Sequence, residues 1–103
     1  MSIIKFKDFQ QLVEEKGPEN LNILDLRTQE AFMEAHIPGA INIALDELQR
    51  KVGELNKDEE YYLICYAGNF SMLGGRYLRQ QGFEAHNVQL GMAGYKGVTV
   101  SGE

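Results

Sequence analysis

The sequence predicts a single α/β domain in three layers: a mostly parallel central sheet of about five strands with helices on both faces. Two observations predict it. Short apolar runs alternate with amphipathic stretches along all 103 residues, the rhythm of β-α-β units rather than of hairpins. The run Tyr61-Tyr62-Leu63-Ile64-Cys65 is the most apolar in the chain, as expected of a central strand buried on both faces.

Each element follows from local signals. Residues 3–6 read as a short first strand. Residues 8–16 place Phe9, Leu12 and Val13 at helical spacing before Gly17-Pro18 stops them. Residues 21–26 form a second strand ending at Asp25 and Arg27, and Thr28 caps a helix running to about Ala35 until Pro38-Gly39 breaks it. Residues 40–43 read as a third strand. Leu45, Leu48, Val52 and Leu55 mark a further helix, whose acidic start at Asp46-Glu47 suits the positive N-terminal end. Beyond the polar turn 56–60 comes the central strand, then a helix over residues 71–81 with Gly82 as its stop. Residues 85–90 supply a last strand, 92–96 at most a short helix, and 98–103 a loose tail, all within one domain spanning 1–103.

Composition narrows the function. Ten basic against 15 acidic side chains leave a net charge of −5, a poor footprint for nucleic acid or anionic lipid. A hydrophobic content of 44%, 24% charged residues and only two prolines exclude a disordered tail or a fibre. No apolar stretch is long enough to span a membrane, and the first residues lack the apolar core of a signal peptide. The single cysteine excludes an intramolecular disulfide and an all-cysteine metal cage. These features predict a cytoplasmic protein in a reducing compartment.

The chemistry concentrates after the central strand, since ligand crevices in parallel sheets lie beyond the carboxyl ends of the strands. Cys65, Tyr66, Ala67, Gly68, Asn69, Phe70 and Ser71 link that strand to the next helix. Such a loop can wrap its N–H groups inward as an anion cradle, to which the helix N-terminus adds about half a positive charge. A cysteine at its base is a candidate nucleophile, and the cradle would favour its thiolate without a histidine base. The bland reading of a lone strand-end cysteine is an inert small hydrophobe.

The chain also resembles the rhodanese-like domains. Asp25-Leu26-Arg27, Phe32 and His36-Ile37-Pro38-Gly39-Ala40-Ile41-Asn42-Ile43 resemble the amino-terminal signature of that family. Cys65 with its small-residue loop resembles the active-site loop, and Gly91-Met92 with Tyr95 the closing segment. The resemblance implies a rhodanese-like fold and a sulfurtransferase, or sulfane-sulfur carrier, in which Cys65 holds sulfur as a persulfide and residues 66–71 bind the substrate. It implies a sulfur donor (persulfide or thiosulfate), a thiol or protein acceptor, and no cofactor. Members acting on thiosulfate usually carry a basic residue right after the cysteine and an arginine five positions after it, where this chain has Tyr66 and Phe70. One cation at about 5 Å and an effective dielectric of 20 contributes roughly 3 kcal/mol of attraction, or about two decades in binding. A persulfide donor is therefore expected over thiosulfate. The alternative is a catalytically weak or inactive module that binds proteins or senses redox state. Phosphatases with a similar loop need an arginine at its end, which Phe70 and Ser71 cannot supply. Two further departures, Ala31 for a common glutamate and Leu90 for a common glycine, are expected to concern packing.

Other residues carry competing readings. His36 precedes a tight turn and is expected to bond backbone rather than act as a base for Cys65. His86 is expected at a surface or edge; with no cysteine or paired carboxylates nearby in sequence, neither histidine predicts a metal site. Arg27, at a strand end with Asp25, could border the crevice and offer the cation the loop lacks; the alternative is a salt bridge that fastens the strand end to a neighbouring helix. Arg76 and Arg79 follow the loop on its helix and are expected to be solvated. Tyr66 and Phe70 could line the mouth and select an apolar or protein-bound donor. The sequence leaves the oligomeric state open.

Overall fold

The structure, a computed structural model, describes residues 3–67 and 69–102. Five strands, β1 (Ile3–Ile4), β2 (Ile23–Asp25), β3 (Ile41–Asn42), β4 (Glu60–Ile64) and β5 (Glu84–Val88), form one sheet in the order β1-β5-β4-β2-β3. Every pairing is parallel. The most apolar run is the middle strand, as its composition predicts.

The helices are α1 (Phe6–Lys16), α2 (Gln29–Glu34), α3 (Leu48–Lys51), α4 (Asn69–Gln80) and α5 (Gly91–Gly94). Successive strand residues point to opposite faces, and the core divides accordingly. Leu24, Leu63 and Ala85 pack with Leu48 of α3 and Leu78 of α4. Ile23, Tyr62, Ile64 and Val88 pack with Phe9 and Val13 of α1 on the other side. Each fully buried aliphatic side chain contributes about 1.5–3 kcal/mol. Among the described residues, no helix is long and apolar enough to cross a membrane.

Four expectations change. The first strand ends at Ile4, because the chain turns into α1 at Phe6, where Lys5 is the extended cap residue and its carbonyl accepts from Phe9 N–H at 3.0 Å. The helix expected over residues 45–55 is three pieces: a 3₁₀ turn Leu45–Glu47, α3, and a 3₁₀ turn Val52–Glu54 containing Gly53, whose backbone freedom disfavours a continuous helix. Helix α4 begins at Asn69, two residues early, which puts Asn69, Phe70 and Ser71 in its first turn. The tail from residue 98 is docked rather than loose. His36 and Val100 exchange two backbone hydrogen bonds of 2.8 Å, and Gly102 N–H donates to Met33 O at 2.7 Å. Thr28 caps α2 as predicted, its hydroxyl accepting from Ala31 N–H at 3.2 Å.

Candidate functional site

Cys65 follows directly on β4, at the carboxyl end of the middle strand. Its Sγ lies 3.4 Å from the Ser71 amide nitrogen, whose N–H donates to it, and 3.6 Å from Ser71 Oγ. The early start of α4 makes this possible, since Ser71 N–H is among the first-turn donors that have no partner within a helix. A donor aimed at sulfur stabilises an anion there, and the positive end of the helix acts in the same direction.

The Ser71 hydroxyl donates to Asn87 Oδ1 on β5, and both residues are buried. Asn87 is a residue that sequence reasoning missed. Its signal was available: Ala85 and Asn87 share the face of β5 turned to α4, so a polar side chain stands in an apolar row.

The backbone of Cys65 is clamped from below. Met92 N–H donates to Cys65 O and Ala93 N–H to Tyr66 O, each at 2.7 Å. Gly91 permits the approach. A Cβ built there would lie 2.0 Å from Cys65 O, and its φ of +47° is one L side chains rarely adopt. The loop therefore rests on the first turn of α5.

Cys65 itself is only 2% exposed. The exposed part of the loop is Tyr66, Ala67, Asn69 and Phe70, while Gly68 lies outside the described residues. Tyr66 and Phe70 line a largely apolar crevice of about 730 Å³ together with Leu26, Arg27, Ala31 and Leu45. The structure thus puts Cys65 and Ser71 in contact, and sets Tyr66 and Phe70 over the crevice.

Arg27 borders that crevice with its charge already engaged. Its Nε and Nη2 grip the fully buried Asp25 carboxylate at 2.8–3.2 Å, and Nη2 also donates to Ala35 O at 2.8 Å. The ion pair stays within the end of β2, and it is the hydrogen bond to Ala35 O that fastens this strand end to the end of α2.

His36 is buried, stacks on Phe32 with ring centroids 3.7 Å apart, and its Nδ1 lies 2.7 Å from Phe32 O. It bonds backbone, as its place before the turn predicts. His86 lies beside paired carboxylates, which corrects the reading from sequence. Register sets Glu60 against Glu84 and Tyr62 against His86, and the ligand atoms of Glu60, Glu84 and His86 fall within 4.8 Å of one another. These residues are the group of metal-ligand types found together among the described residues, and His86 Nε2 lies 2.5 Å from Glu60 Oε2. Burial, aided by Glu60 and Glu84, raises the pKa of Tyr62 above the ordinary tyrosine value. The cluster sits at the amino ends of β4 and β5, the opposite end of β4 from Cys65.

Comparison with known proteins agrees with this architecture. Residues 6–99 match the profile of the Rhodanese-like domain. YrkF of Bacillus subtilis (strain 168), named provisionally as a sulfur carrier protein, is 40% identical over 97 residues, which is 93% of this chain and 51% of that protein. The chain therefore spans about half the length of that relative. The thiosulfate sulfurtransferase GlpE of Shewanella oneidensis is 32% identical over 84 residues, covering 82% of this chain and 83% of the relative. A crystal structure of a rhodanese-like domain protein from Staphylococcus aureus superimposes with a TM-score of 0.84 at 31% identity, covering 93% of this chain and 92% of that one. The parallel five-stranded sheet, the cysteine at the end of its middle strand and these likenesses together establish that the chain belongs to the rhodanese-like domain family.

Proposed function

We propose that the chain is a sulfane-sulfur carrier that moves sulfur through a persulfide on Cys65, taking it from a persulfide donor in preference to thiosulfate. The observation that carries this reading is the Ser71 N–H directed at Cys65 Sγ from the first turn of α4, in a loop whose neighbouring positions are the uncharged Tyr66 and Phe70. Relatives named for sulfur carriage and sulfur transfer support the class of reaction.

The chemistry balances without a cofactor. The Cys65 thiolate attacks the outer sulfur of R–S–S⁻, forming a Cys65 S–S bond as the donor's S–S bond breaks and R–S⁻ leaves. An acceptor thiolate then attacks the outer sulfur and restores the Cys65 thiolate. Backbone N–H groups hold the persulfide anion. The thiol is buried and the nearby crevice is lined by the exposed Tyr66 and Phe70 rings, which favours a donor with an apolar or protein body.

The second reading is a protein-binding or redox-sensing module, favoured by the buried thiol and the uncharged loop. Sulfur transfer to dithiothreitol from a small-thiol persulfide and from thiosulfate separates the two. The persulfide should be used at least about tenfold faster, and Phe70→Arg should raise the thiosulfate rate about tenfold, a partial return of the cation's worth because the site is exposed. Absence of transfer from any persulfide would leave the binding module.

A further inference from the structure

A second concave surface lies on the other flank of α4. Among the described residues, edge strand β1 pairs only with β5, and Ile3 stands in register with Asn87. In-register neighbours on parallel strands point to the same face, so Ile3 and Asn87 face the layer that contains α4. That helix covers β4 and β5 and leaves the face of β1 open. The result is a groove of about 310 Å³ lined by Ile3, Met72, Leu73, Arg76, Arg79 and Asn87 among others.

Its lining combines two chemistries. Ile3, Met72 and Leu73 are exposed large apolar side chains, at 46%, 45% and 57%. Met72, Arg76 and Arg79 follow at i, i+4 and i+7, which puts them on one stripe of the helix. Arg79 donates one hydrogen bond, to the backbone oxygen of Ala85. Among the described residues, neither arginine pairs with a carboxylate, whereas Arg27, Arg50 and Lys51 do. Among the described residues, no acidic side chain lines the groove. Two uncompensated guanidiniums beside an apolar wall suit an anionic head joined to a hydrocarbon body. Inorganic anions would leave the wall uncovered, and neutral hydrocarbons would leave the guanidiniums unmatched. The volume, at the low end of ligand sites, suits a small molecule.

We propose that this groove is a binding site for a small organic monocarboxylate, its carboxylate held between Arg76 and Arg79 and its hydrocarbon part lying on Ile3, Met72 and Leu73. The site is separate from the Tyr66 and Phe70 crevice and does not rest on sulfur transfer. It nonetheless borders the reactive loop: Asn87, which lines it, accepts from the Ser71 hydroxyl, and Ser71 holds Cys65 Sγ.

The test is an NMR titration of the full chain with hexanoate, and with hexanamide as its uncharged counterpart. Hexanoate should shift the amides around Ile3, Met72 and Leu73 saturably, with a dissociation constant of about 1 mM. Binding should weaken about tenfold for hexanamide and about tenfold in Arg76→Gln, an exposed position where folding is not at issue. Cys65→Ser should bind as the parent does, which keeps this result independent of the carrier reading. The proposal is overturned if no saturable shift appears by about 20 mM, if hexanamide or Arg76→Gln binds equally well, or if the shifts gather around Tyr66 and Phe70. A concentration-dependent dimer in sedimentation that loses the groove resonances would assign this face to a second copy of the chain and also overturn it.

Discussion

Leu90 holds a backbone φ of +66° just before Gly91, a conformation that costs an L residue about 1–2 kcal/mol. Its departure from a common glycine is therefore a matter of backbone conformation rather than of packing, as the sequence suggested. Leu90 is also 44% exposed, so burial offsets only part of the cost. Leu90→Gly should raise the stability by about 1 kcal/mol in urea denaturation; an unchanged or lower midpoint would contradict this account of the turn. Gly91 admits no such freedom, because its missing Cβ is the space that Cys65 O occupies. The thiol's neighbourhood was partly legible: Cys65 and Ser71 could be placed on one loop by order alone. Asn87 was legible only as a polar residue on the same strand face as Ala85; its partner was not, since Ser71 lies 16 positions away and the two meet only once the sheet has formed.

At the scale of elements, amphipathic periodicity located α1, α2 and α4, and apolar runs located β2 and β4. What failed were ends and isolated turns. The start of α4 at Asn69 depends on how the loop closes over Cys65, which no local propensity encodes. The docking of residues 98–102 depends on a distant partner: Val98, Thr99, Val100 and Ser101 alternate apolar and polar, but the run is short and nothing in it names His36 as the residue it bridges. Three backbone hydrogen bonds tie that segment to residues 33 and 36, each worth about 1 kcal/mol net against the entropy of ordering the chain. Removal of residues 98–103 should therefore lower stability by about 1–2 kcal/mol, read as an earlier urea midpoint. An unshifted midpoint would mean that the segment contributes nothing.

Across the whole molecule, the parallel sheet sends its strands' carboxyl ends to one rim, which is where the proposed carrier site lies. Cys65 reaches that rim on the middle strand, α4 directs an amide at its sulfur, and α5 supports its carbonyl. Arg27 reaches it too, but neutralised by Asp25. Around Tyr66 and Phe70 the one cation lining the crevice among the described residues is thus already paired, and the carrier reading rests on backbone donors to hold an anionic sulfur. The most direct measurement of that claim is the intact mass of the protein after exposure to a persulfide donor. The account predicts one added sulfur that dithiothreitol removes and that Cys65→Ser never acquires; an unchanged wild-type mass, or an equal gain in Cys65→Ser, would contradict it.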